Sequence, residues 1–132
     1  MNEIIIGDRK IGEAYPPFVI AEVGINHEGD LYKAMKMIDD AASMGCECIK
    51  FQTHVVEDEM VPNTIIPGNA NETIWDIMNR CALNAKEEVE LKKHTESKGM
   101  IFLSTPFSRA AAIRLEEMGA VAFKIGSGEC NN

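Results

Sequence analysis

The sequence predicts an α/β fold of parallel strands, and two observations carry that reading. Short apolar runs bounded by turn residues recur along the chain, and between them lie segments whose apolar residues repeat every three to four positions. Strands that alternate with helices pair in parallel through right-handed crossovers.

The first run, FVIAEVGI at 18–25, follows the rigid Pro16-Pro17 pair and reads as a buried strand. Asp30 is placed to cap a helix in which Leu31, Ala34, Met35, Ile38 and Ala42 share one face, and Gly45 ends it. CECIKFQT at 46–53 is the next strand. Residues 54–73 then carry acidic groups, Pro62, Pro67, Gly68 and several asparagines, a long connection of the kind that serves function or motion. A short helix is predicted over 74–81. Asn84 with Glu87 three residues on forms a capping box for a helix to Lys98, closed by Gly99. MIFLST at 100–105 is the third strand. Ser108 caps a helix with Ala111, Ala112, Leu115 and Met118 turned inward, and Gly119 ends it before a fourth strand around 121–125.

The order is βαβαβαβ. No GxGxxG opens the first helix, which removes the main support for a dinucleotide-binding sheet. The alternation fits either a doubly wound sheet or part of a (β/α)8 TIM barrel; a barrel typically takes about 250 residues, so about four βα units after a leading segment 1–17 would be the N-terminal half of one. No linker marks a second domain within 1–132.

A chain of 132 residues can bury one core. Its formal charge of −8, with no basic run, weighs against nucleic acid or an anionic membrane as partner. No apolar run is long enough to span a bilayer, and MNEIIIGDRK lacks the features of a signal peptide, so the cytoplasm is the expected location. Cys46, Cys48, Cys81 and Cys130 form no CxxC pair and read as reduced core or loop residues.

Each predicted strand turns polar at its C-terminal end: Glu22, Asn26 and His27; Lys50, Gln52 and His54; Ser104, Thr105 and Ser108; Lys124, Ser127 and Glu129. In parallel α/β folds that edge binds ligands, because the βα loops converge there. A lysine inside CECIKFQT needs an anionic partner, either a bound anion or Glu22 of the neighbouring strand. Lys124 has a similar setting, and two lysines aimed at one edge favour a bound dianion. Gly126 and Gly128 let backbone N–H groups around Ser127 approach a phosphate, although Gly-Ser-Gly also serves as a plain turn. Glu129 is a candidate general acid or base, with a solvated loop glutamate as its rival.

Glu22, His27 and His54 can be drawn as a metal site, as in a metal-dependent hydrolase, but histidine after a strand more commonly serves structure or substrate contact. His94, among Lys92, Lys93 and Glu96, reads as surface. Glu57, Asp58 and Glu59 read as a solvated loop, with a lid or sugar contact as the alternative.

The segments AEVGINHEGD (21–30), KFQTHVVEDEM (50–60), IPGNA (66–70), RCALN (80–84), STPFSRAAAIRL (104–115) and KIGSGECNN (124–132) closely resemble the N-terminal part of bacterial N-acetylneuraminate (sialic acid) synthases. The similarity runs over nearly the whole chain from Phe18 onward. It implies a TIM-barrel enzyme that condenses phosphoenolpyruvate with N-acetylmannosamine, releasing phosphate and forming N-acetylneuraminate. In that family the enol carbon attacks the open-chain aldehyde while a divalent metal, Mn2+ or Mg2+, polarises the aldehyde oxygen.

Carried over by motif, Lys50, Thr105, Lys124 and Ser127 look like contacts to phosphoenolpyruvate. Glu22 and Gln52 look like residues around the reacting carbons and sugar hydroxyls, Asn69 like a sugar contact and Glu129 like the proton-transfer residue. The resemblance places the metal-binding histidines on later strands, with no metal ligand in 1–132. It also implies a homodimer in which a C-terminal antifreeze-like domain, absent here, lends an arginine to the partner's sugar site. Legionaminic and pseudaminic acid synthases share the phosphoenolpyruvate chemistry, but VEDEM, IPGNA and RCALN look more like the N-acetylneuraminate branch. The alternative from another class is a non-catalytic phosphate- or carboxylate-binding module.

Overall fold

The computed structural model describes residues 2–131. Three parallel strands, β3 (Ile20–Gly24), β4 (Cys48–Thr53) and β5 (Ile101–Pro106), lie side by side in chain order. The middle strand has neighbours on both edges, and Cys48, Ile49 and Phe51 within it are buried.

Ahead of the sheet, β1 (Ile4–Ile6) and β2 (Arg9–Ile11) form an antiparallel hairpin, with Gly7 at φ +60° in the two-residue turn. Sequence reasoning left this stretch as a leading segment because three-residue strands show no periodicity. Gly7-Asp8 between two apolar runs was the available signal.

The helices begin and end as their caps dictate. In α1 (Leu31–Ser43) the Asp30 side chain accepts from Lys33 N at 3.0 Å, Ala34 and Ile38 are buried, and Gly45 follows at φ +79°. A one-turn α2 (Val56–Glu59) interrupts the long connection, and α3 (Ile74–Cys81), capped by Thr73, follows it. The capping box of α4 (Ala85–Ser97) is complete, with Asn84 accepting from Glu87 N and Glu87 accepting from Asn84 N. Ser108 caps α5 (Arg109–Glu117), which buries Ala111 and Leu115. The core unites Val23, Ile38, Ile49, Phe51, Leu91, Phe102 and Leu115, with Phe51 and Phe102 stacked at 5.9 Å. Among the described residues no helix is long and apolar enough to cross a membrane.

Two expectations need correction. The fourth strand is reduced to a single parallel bridge between Phe123 and Ser104, and Val121, Phe123 and Ile125 are exposed. A parallel strand is stabilised by neighbours on its edges and by covered faces, and residues 121–125 have one neighbouring strand among the described residues, β5. His94 is also more than surface: its Nε2 lies 2.8 Å from Asp39 Oδ1, and Lys98 meets the same carboxylate at 2.8 Å, joining α4 to α1. Helical periodicity shows which face a residue occupies, and only the packed pair shows what it meets.

Gly29, at φ +80°, marks a close approach: a Cβ there would lie 2.1 Å from the carbonyl oxygen of Arg80 at the end of α3. Gly45 has nearly the same φ, +79°, but nothing within 4 Å. Gly45→Ala is expected to cost about 1 kcal/mol from backbone conformation alone, and Gly29→Ala about 3 kcal/mol or more because backbone must also move. Urea denaturation of the two variants checks the difference.

Candidate functional site

Strand register brings the candidate residues together. Glu22 pairs with Lys50, Lys50 with Leu103, and Gln52 with Thr105, while the Phe123–Ser104 bridge sets Lys124 beside Thr105. Side chains alternate across a sheet, so Ile49, Phe51 and Phe102 enter the core under the helices while Lys50, Gln52 and Thr105 take the opposite face. Glu22 and Lys124 share that face by register. Glu22, Lys50, Gln52, Thr105 and Lys124 therefore form one patch toward the C-terminal ends of the strands.

Of the two partners considered for Lys50, the structure supplies Glu22: Nζ contacts Oε2, with the lysine side chain 13% exposed and the carboxylate 53% exposed. The nearly dry ammonium is thus held by a group that water reaches. Lys124 is half-buried and makes no ion pair among the described residues. Its backbone N–H donates to Ser104 O at 3.1 Å.

Ser127–Glu129 form a single 3-10 turn. A Cβ on Gly126 would sit 3.3 Å from Phe107 Cε1, 3.4 Å from Glu129 Cγ and 3.5 Å from Thr105 Cγ2, so this turn folds Glu129 back toward the end of β5. Ser127 is exposed and Glu129 half-buried. Asn69 lies in an exposed turn of the connection before α3, and among the described residues no hydrogen bond joins it to the patch.

Beside the patch, His54 is 4% exposed and stacks on Phe107 with ring centroids 4.8 Å apart. Its Nδ1 lies 2.7 Å from Glu59 Oε2 and its Nε2 lies 3.0 Å from Gln52 Oε1. The acidic run is accordingly less solvated than expected. Glu57 faces water, but Asp58 accepts from Ala110 N at the start of α5 (2.9 Å), and Glu59 is tucked against His54.

A buried polar chain lies under the strand ends. Arg114 of α5 donates to Glu88 of α4 at 3.0 Å and to Leu83 O at 3.3 Å; Glu88 is hydrogen-bonded to Thr53, whose hydroxyl lies 2.8 Å from that of Ser104. Sequence reasoning missed Glu88 and Arg114. The available signal was spacing, since Glu88, Leu91 and Thr95 recur at helical intervals and all three are buried.

Residues 37–132, more than half of the chain, match the NeuB family. The chain belongs to the NeuB family. It is 34% identical to the N,N'-diacetyllegionaminic acid synthase of Campylobacter jejuni over 86% of its length, and 30% identical to human N-acetylneuraminate-9-phosphate synthase over 94%. It spans 36% of the length of each of these relatives. Among solved structures it is similar to the N-acetylneuraminic acid (sialic acid) synthetase of Leptospira borgpetersenii in complex with citrate. That match has a TM-score of 0.80 and 35% identity, covering 94% of this chain and 41% of the other. It is also similar to the spore coat polysaccharide biosynthesis protein SpsE of Bacillus subtilis (TM-score 0.72, 30% identity, 94% and 33% covered).

The described part of this NeuB-family chain assembles no group of three or more histidine, cysteine, aspartate or glutamate side chains placed to hold a metal ion. His27 is turned to a local task, its Nδ1 accepting from Gly29 N at 3.1 Å, and both ring nitrogens of His54 are engaged. The Glu22, His27 and His54 arrangement of a hydrolase is not formed. Burial pushes the Cys48 thiol up to about 11, which disqualifies it as a nucleophile at neutral pH.

Burial raises the Glu88 carboxyl above its usual range, with Arg114 offsetting part of the rise. Removing the cation should therefore cost more than neutralising the acid. Arg114→Met, which strands a buried carboxylate, is expected to lose on the order of 3 kcal/mol, whereas Glu88→Gln, which keeps an acceptor, should stay within about 1 kcal/mol of the parent. Urea midpoints of the two variants decide it.

Burial also lowers His27, with Lys33 and His54 adding to the effect. The unfolded chain thus binds a proton there that the folded chain refuses. Stability should be fully present above the ordinary histidine value of 6.5 and decline as pH falls from 6.5 toward the lower folded value. His27→Gln should flatten that slope in denaturation curves recorded across the window.

Proposed function

We propose that this chain is the N-terminal part of a barrel synthase domain that condenses phosphoenolpyruvate with N-acetylmannosamine to give N-acetylneuraminate and phosphate. The observation that carries the reading is the patch: two lysines, a carboxylate, an amide and a hydroxyl on one sheet face at the strand ends. In this reading residues 1–132 supply four βα units of the (β/α)8 barrel, the residues at 121–125 serving as its fourth strand. The legionaminic and pseudaminic acid synthases remain the alternatives within the family, and a pseudaminic acid synthase of Campylobacter jejuni is 29% identical over 87% of the chain. The protein is read as a cytoplasmic transferase of carbohydrate biosynthesis that forms a homodimer at full length.

Lys50 and Lys124 supply the positive charge for a phosphate and carboxylate dianion, Thr105 donates a hydroxyl beside them, and Ser127 offers its hydroxyl and turn N–H groups. Phosphoenolpyruvate would compete for Lys50 with Glu22, which is half exposed and free to turn toward the reacting carbons. Gln52 contacts sugar hydroxyls, Asn69 reaches the sugar from its loop, and Glu129 moves the proton. A divalent metal, Mn2+ or Mg2+, belongs to the chemistry this reading implies. The described residues form no group of three or more histidine, cysteine, aspartate or glutamate side chains that could hold it, and this reading places its ligands on later strands of the barrel.

Calorimetric titration with phosphoenolpyruvate tests the assignment. Binding should be saturable, and Lys50→Ala and Lys124→Ala should each weaken it about tenfold or more, as expected when a charged hydrogen-bond donor is lost. Binding by both variants equal to that of the parent would remove the anion site. The 132-residue chain should show no measurable condensation with added manganese, and robust turnover would refute its reading as an incomplete site.

A further inference from the structure

The contact between His54 and Gln52 constrains more than position. Glu59 Oε2 can only accept, so His54 Nδ1 carries a proton. On the other side of the ring it is Gln52 Oε1 that faces Nε2, at 3.0 Å, which requires a proton there as well. The amide NH2 is then turned the other way. Gln52 Nε2 and Glu22 Oε1 each lie 3.4 Å from the point a Cβ on Gly24 would occupy, so the NH2 group faces the Glu22 side of the patch.

We propose that Glu59 and His54 act as a positioning pair that turns the Gln52 amide, presenting a hydrogen-bond donor rather than an acceptor to the ligand bound beside Glu22 and Lys50. The inference rests on Gln52 lining the site, as the proposed function has it. The device is held rigidly: the Glu59 side chain is 10% exposed, and Phe107 stacks on the imidazole at an interplanar angle of 10°. Asp58, next to Glu59, is fastened to the N-terminus of α5 through Ala110 N, which fixes the turn that carries the carboxylate.

A ring that keeps only its Nδ1 proton offers a lone pair at Nε2, and the amide must turn over to donate to it. The patch would then see the carbonyl oxygen. The charged and titratable groups around the ring are Glu59 from α2, His27 from the loop after β3, and Glu88 from α4, which is itself neutralised by Arg114.

Nuclear magnetic resonance on the 15N-labelled 132-residue chain tests this without turnover or ligand, so the result stands or falls separately from the titration with phosphoenolpyruvate. In the parent, both His54 ring nitrogens should carry a proton, as their contacts to Glu59 Oε2 and Gln52 Oε1 require, and the Gln52 NH2 should show cross-peaks to the Gly24 Hα protons. Glu59→Gln should abolish the cross-peaks. A bare Nε2 in the parent, cross-peaks from Gln52 NH2 to the His54 ring, or an unchanged pattern in Glu59→Gln would each overturn the proposal. The parent measurement decides the question even if the variant does not fold.

Discussion

The pairing register of β4 is the constraint on which the rest depends. With Glu22 against Lys50 and Gln52 against Thr105, alternate residues of one strand serve opposite purposes: Ile49 and Phe51 seal the core, while Lys50 and Gln52 join the polar patch on the opposite face. A slip of one residue would exchange the two sets, burying an ammonium among Ile38, Leu91 and Leu115 and exposing Phe51. The core therefore enforces the site, because the same pairing satisfies both. An irregularity between Glu22 and Gly24 shifts the register at the end of β3, so that Glu22 pairs with Lys50 and Gly24 with the next residue, Phe51.

Beneath the strand ends the helix layer is polar. Arg114, Glu88, Thr53 and Ser104 link α5 and α4 to β4 and β5, and Glu59 with His54 links α2 to the edge of the patch. Every buried side-chain nitrogen and oxygen among the described residues has a hydrogen-bond partner. Such networks contribute little net stability compared with apolar packing, but they tolerate few alternative arrangements. Their place next to the patch suits a site whose groups must hold fixed orientations. The opposite end of the sheet differs. A cavity of about 550 Å3 there is lined by Arg9, Glu47, Lys92 and Glu96, whose charges are spent on each other as Arg9–Glu47 and Lys92–Glu96 pairs.

Legibility followed the range of the interaction. Caps and stops were readable because they are local: Asp30, Asn84 with Glu87, Ser108, and the glycines at 45, 99 and 119 act within a few residues of themselves. The candidate site was readable to the extent that polar residues ended apolar runs. What escaped were pairings across distance: Glu88 with Arg114, His94 with Asp39, and Glu59 with His54 behind the one-turn helix inside an acidic stretch. The fourth strand was over-read because VAFKI has the composition of a strand, whereas strand formation also needs a neighbour and cover.

By itself the sequence determined the α/β alternation, the helix boundaries and the crowding of lysine, glutamate and hydroxyl groups at the strand ends, since propensity, capping and periodicity are encoded locally. Its motifs also agree with the NeuB family to which the chain belongs. The tertiary structure alone decided that Glu22 is the partner of Lys50, that Gln52 meets a buried histidine, and that the acidic run is partly a structural clamp. Those outcomes depend on register and on which helices meet, and such contacts form only when segments distant in sequence bury one another.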